Sequence, residues 1–258
     1  MQRMQRMFEL IETVREKYTN DDFFKNIKDE LNNPLAFEQY TIYENALKRL
    51  DHDSWQLMLN KTRVAFKSNY KPKNTQNDVS HQELNKRSFF DHLNEAFGYQ
   101  FLVSQEYKNV RLLAEDKKNK SPDLQYEKNG IKYYCDVKTI NRSDEDMKRF
   151  KNGESFSGLV YQELAAPFLR KLADAIASGL KQIESKNATG IIYIVVNFDD
   201  IGGTYYYKYQ RQIVDFLRNY PDLEIYIRIG ILGKMWIHKK DNLIDCGSYV
   251  LTLSPLMP

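Results

Sequence analysis

The chain of 258 residues is 42% hydrophobic and 28% charged with a formal net charge of +3, the balance of an ordinary globular protein and not of a disordered or fibrous one. No apolar run approaches the roughly 18 residues of a membrane span, and Met1-Gln-Arg-Met-Gln-Arg-Met-Phe lacks the apolar core of a secretory leader. The two cysteines, Cys135 and Cys246, show no CxxC spacing, which argues against a disulfide scaffold and for a reducing cytoplasm.

Residues 1 to about 68 read as helical. Phe8, Ile11 and Val14, then Phe24, Ile27 and Leu31, keep the three-to-four spacing of one buried helix face. Asn20-Asp21-Asp22 has the character of an N-cap, and Pro34 suits a first helical turn. Asp51-His-Asp-Ser54 can cap a further helix running through Trp55, Leu57, Met58, Leu59 and Val64. From Lys61 to Lys73 the basic residues Lys61, Arg63, Lys67, Lys71 and Lys73 alternate with Phe66 and Tyr70 and no acid intervenes. Cations among aromatics suit a nucleic-acid backbone, and equally a solvated helix end.

Ser68 to Gln82, with Lys-Pro-Lys-Asn-Thr-Gln-Asn and few apolar residues, reads as a linker, which divides the chain into a helical region (1–76) and an α/β domain (77–258). A helix is expected from Val79 to Phe97 with Gly98 as its stop, then a strand from Tyr99 to Tyr107, continued or paired by Val110 to Ala114. Asp123-Leu-Gln-Tyr-Glu, the turn Lys128-Asn129-Gly130 and Ile131-Lys-Tyr-Tyr-Cys-Asp-Val-Lys138 form a hairpin, because Asn-Gly tolerates the positive φ of a tight turn. Asn141 to Gly158 is a polar loop. A long helix spans Leu159 to Ile183, with Pro167 a kink or its true start. Gly190 to Phe198 is a strand buried on both faces, followed by a helix (Tyr206 to Asn219), a strand (Leu223 to Ile229) and a hairpin around Trp236 and Cys246. The layout is α/β: a mixed sheet with helices against it.

The chemistry concentrates in the first hairpin. Strand alternation puts Asp136 and Lys138 on one face, and Asp123 opens the partner strand beside them. Asp/Glu-x-Lys also occurs at Glu106/Lys108, Asp116/Lys118, Asp146/Lys148 and Glu184/Lys186, but only Asp136/Lys138 lies on a strand one hairpin beyond a Pro-Asp pair, Pro122-Asp123. The histidines (His52, His81, His92, His238) have no metal-ligand spacing, and no glycine-rich phosphate loop is present.

This order of elements, with Pro-Asp opening the second strand and Asp-x-Lys on the third, resembles the PD-(D/E)XK nuclease superfamily over roughly residues 79 to 200. The resemblance implies a restriction-endonuclease-like fold and an Mg²⁺- or Mn²⁺-dependent endonuclease acting on DNA, with RNA left open as a substrate. Asp123 and Asp136, with the Val137 carbonyl, would hold the metal, and Lys138 would orient the nucleophile or offset phosphate charge. Relatives add a glutamate from the preceding helix, for which Glu83 is the counterpart and Glu95 the weaker one. The resemblance also implies a homodimer, and a restriction or defence role follows from family habit. The alternative is a protein of the same fold that binds nucleic acid or a partner without catalysis.

Overall fold

A computed structural model describes residues 4–15, 22–33, 37–68, 79–115, 121–141, 163–164, 166–197, 206–230, 232–233, 235–241 and 243–248. In chain order these hold α1 (Gln5–Arg15), α2 (Asp22–Lys25), α3 (Ile27–Asn32), α4 (Phe37–Leu47), α5 (His52–Ser68) and α6 (Val79–Ser104). Strands β1 (Lys108–Leu112), β2 (Leu124–Lys128) and β3 (Ile131–Ile140) follow. The remainder is α7 (Ala166–Glu184), β4 (Gly190–Val196), α8 (Tyr206–Leu217), β5 (Glu224–Ile229), β6 (Met235–Lys240) and β7 (Leu243–Ser248). The seven strands form one mixed sheet in chain order, flanked by helices. Among the described residues, no helix is long and apolar enough to cross a membrane.

The chain separates into two compact units, one of Met1–Val137 with Gly179–Gly190 and one of Lys138–Ser178 with Ile191–Pro258. The first unit holds the N-terminal helices together with β1, β2 and most of β3. The linker expected between Ser68 and Gln82 lies largely outside the described residues, and the helices on either side of it share this unit.

Local chemistry explains its elements. Asp51 caps α5 as its sequence suggests: Oδ1 accepts the Ser54 N–H at 2.7 Å. Helix α1 is capped from a distance, because the buried Glu44 of α4 accepts the Met7 N–H at 2.8 Å and the Arg6 N–H at 3.3 Å. The Arg6 guanidinium donates to the Leu47 and Leu50 carbonyls and lies 4.8 Å from the Trp55 ring centre. Aromatic side chains fill the space against α6: Phe24 meets Phe89 at 5.6 Å edge-to-face, and Tyr43 lies 4.7 Å from Phe97. Helix α5 packs on β1, where Ser54 Oγ accepts the Leu112 N–H at 3.1 Å.

One expected element is overturned. Tyr99 to Tyr107 is not a strand: α6 runs through Gly98 and on to Ser104. Tyr99, Phe101 and Leu102 are buried and continue the face begun by Phe89, Leu93 and Phe97. Their burial outweighs the roughly 1 kcal/mol that a glycine costs inside a helix. The hairpin forms as expected, with Asn129 and Gly130 at φ of 53° and 77°, both positive as a type I′ turn requires. In β1, Asn109 takes φ of 50° where the register with β2 shifts, and its side chain donates to Glu127 at 2.6 Å.

In the second unit, residues 191–196 of β4 are all buried and pair in parallel with β5. Helix α8 connects them and buries Tyr209, Ile213 and Leu217. Antiparallel β6 and β7 complete the sheet, the latter two forming the C-terminal hairpin expected around Trp236 and Cys246. Helix α7 begins at Ala166, so Pro167 stands in its first turn and not at a kink.

Candidate active site

The register of β2 and β3 pairs Leu124 with Cys135 and Gln125 with Tyr134. One further step sets Asp123 across from Asp136. Residues opposite each other in an antiparallel pair share a face, with Cβ atoms about 4.5–5.5 Å apart. The two acids picked from the sequence therefore neighbour each other at the end of the hairpin remote from its turn. Asp136 is fully buried, at 0% exposure, while Asp123 is half-buried.

Asp123 begins just before β2 and is held at both its backbone and its side chain. Its carbonyl accepts the Leu113 N–H at 2.8 Å, and its Oδ2 accepts the Val137 N–H at 2.8 Å. One carboxylate oxygen is thus fixed to the strand that carries Asp136. Lys138 follows two residues after Asp136 on β3 and, by strand alternation, leaves from the same face; it is half-buried.

Beyond the expected residues, the first unit contains a buried charged cluster. Lys61 of α5 donates to both oxygens of Glu95 of α6, at 2.8 Å and 2.6 Å, with side chains only 4% and 11% exposed. Burial alone would push the Lys61 ammonium down, but Glu95, with Asp123 and Glu115, more than offsets it and holds the group above the usual lysine range. His92 lies one turn before Glu95, its Nδ1 3.9 Å from Glu95 Oε1, and its buried Nε2 makes no hydrogen bond. Burial and then the Lys61 charge push this imidazole down to about 4, against the pull of Glu115, so it is neutral at physiological pH.

These positions bear on the remaining sequence expectations. Lys61 is an internal cation and not a member of a solvent-facing basic run, whereas Arg63 is exposed. The side chain of Lys67, and Lys71 and Lys73 altogether, lie outside the described residues, as does nearly all of the polar loop 141–158. Glu83 lies on α6, twelve residues before Glu95 and so about 18 Å from it along the axis. Its side chain is also outside the described residues. Glu95 is the α6 acid that pairs with Lys61, the ammonium on which the charge of Asp123 also acts. Its one distinguishing sequence signal is its place beside the apolar positions Leu93 and Phe97.

Among the described residues, no group of three or more His, Cys, Asp or Glu side chains is placed to hold a metal ion. The available donor set is therefore the Asp123–Asp136 pair with main-chain oxygens. In kind it fits a hard divalent cation, which takes oxygen ligands and keeps several waters. Facing carboxylates also repel unless a positive charge lies near, which favours a cation at this end of the hairpin. No protein-family model matches this chain, and no curated protein or solved structure matches it either.

Proposed function

We propose that the chain is a metal-dependent nuclease of the PD-(D/E)XK kind, with a restriction-endonuclease-like core, that hydrolyses phosphodiester bonds in DNA. The observation that carries this reading is the register that sets Asp123 opposite Asp136, with Lys138 on the same face of the same strand. Asp123 and Asp136, with the Val137 carbonyl, would hold Mg²⁺ or Mn²⁺. When bound, such an ion acts as a Lewis acid on the phosphate and lowers the pKa of a coordinated water. The protein's own groups do the rest. The Val137 N–H fixes Asp123 Oδ2, so this carboxylate meets its target with little reorganisation. The Lys138 ammonium offsets negative charge that grows on the phosphate as the P–O ester bond breaks. The exposed Arg63 is available to a phosphate backbone. A homodimer with paired sites would cut both strands, and a reducing cytoplasm suits its thiols.

The test is cleavage of plasmid and of single- and double-stranded oligonucleotides, DNA and RNA, with Mg²⁺, Mn²⁺ or EDTA. Metal-dependent cleavage of DNA that is lost in D136N and K138M, with unchanged circular dichroism and melting, is the expected result. Cleavage undiminished in D136N would remove the proposed site. Nucleic-acid binding indifferent to metal, with no cleavage of any substrate, would instead leave a binding protein.

A further inference from the structure

The proposed reaction leaves unused a buried ion pair in the same compact unit. Lys61 and Glu95 come from different helices and are almost fully withdrawn from water. Buried pairs of this sort are weak stabilisers of a fold, since apolar side chains of similar volume do as well or better. Perturbed, desolvated charges gather instead where chemistry is done. Their location agrees. Helix α5, which carries Lys61, packs on β1 through the Ser54–Leu112 hydrogen bond. Immediately after β1, Leu113 donates to the Asp123 carbonyl. The first acid of the candidate site and the helix bearing the ammonium are thus anchored to the same strand end. Both Glu95 oxygens are engaged by Lys61, which turns that carboxylate inward.

We propose that Lys61 is a tethered cation of the candidate site: it withholds the Glu95 carboxylate from a divalent ion, and its own charge weakens divalent-ion binding at Asp123 and Asp136. The inference rests on the metal-dependent reading. It makes Lys61 a positioning residue that sets how tightly one divalent ion is held, and it keeps the site to two acidic ligands. It also gives the N-terminal helices a part in the chemistry.

Calorimetric titration with Mn²⁺, without nucleic acid, tests it on the full chain. K61M is expected to bind Mn²⁺ about tenfold more tightly than wild type, the scale of one unit charge removed nearby in a partly screened setting. K61M/E95Q is expected to lose that part of the gain that comes from the released carboxylate. E95Q alone, which leaves the Lys61 charge uncompensated, is expected to weaken binding several-fold. It also serves as the decisive variant if K61M does not fold, because a purely structural pair would leave the affinity unmoved. Wild-type binding that D136N abolishes but neither K61M nor E95Q alters overturns the role of Lys61 alone. Binding that D136N leaves intact overturns the nuclease reading. Absence of binding in wild type and every variant overturns both.

Discussion

Asp123 Oδ2 accepts the Val137 N–H at 2.8 Å, so one acid of the candidate pair is bonded to the residue next to the other. The bond divides the structural duty of Asp123 from its charge. D123N keeps an acceptor for Val137 and should melt within about 1 kcal/mol of wild type, whereas D123A, which removes it, should lose about 1–2 kcal/mol. Both should abolish metal-dependent cleavage. Thermal denaturation beside a plasmid-nicking assay separates the two effects.

His92 predicts an acid-sensitive fold. Its folded pKa of about 4 lies below the 6.5 of an unfolded histidine, so the unfolded chain takes up protons first as pH falls. The stability that depends on neutral His92 is complete above pH 6.5 and declines as pH drops toward 4, by about 3 kcal/mol in all. The charged groups that act on the ring are Glu95, 3.9 Å from Nδ1, and Lys61 and Glu115 through their electrostatic fields. Urea unfolding at pH 7 and pH 5 should show the loss in wild type and a much smaller loss in H92F.

Lys239 is 2% exposed, and its ammonium donates to the carbonyls of Pro221, Leu223 and Asp241 at 2.8, 2.7 and 3.0 Å. It ties the turn before β5 to the turn after β6. K239M strips three carbonyls of their donor and should cost about 2–4 kcal/mol in chemical denaturation. A variant as stable as wild type would show that water replaces the ammonium without loss.

Gly190 opens β4 where the strand runs close beside β3: a Cβ there would stand 1.7 Å from the Tyr134 carbonyl oxygen. Backbone cannot yield as a side-chain tip does. G190A should therefore destabilise by about 3 kcal/mol or more, well above the cost of an ordinary small-to-large change. The melting temperatures of wild type and G190A decide it.

The sequence made the hairpin legible because Asn129-Gly130 names its own turn and the flanking residues alternate. The register that joins Asp123 to Asp136 follows from that turn. The helical N-terminal region was equally readable from its spacing, and Asp51 from its cap position. What the sequence hid was long-range. Gly98 looks like a helix stop until the burial of Tyr99, Phe101 and Leu102 is known. Lys61 looks like one more solvated cation, and nothing local shows that Glu95, 34 positions away, faces it. Charged residues advertise a surface by default, so a buried pair is hard to see from either partner alone. The cap of α1 by Glu44, 37 positions downstream, is invisible for the same reason.

The Ser54 hydroxyl that receives the Leu112 amide also covers one amide on the outer edge of the sheet, because β1 is its terminal strand. A protein shortened to begin after α5 would leave that edge amide without its partner and open to pairing with a second molecule. Self-association of such a fragment would then arise from the cut itself, and its oligomers would be no guide to how the intact chain assembles.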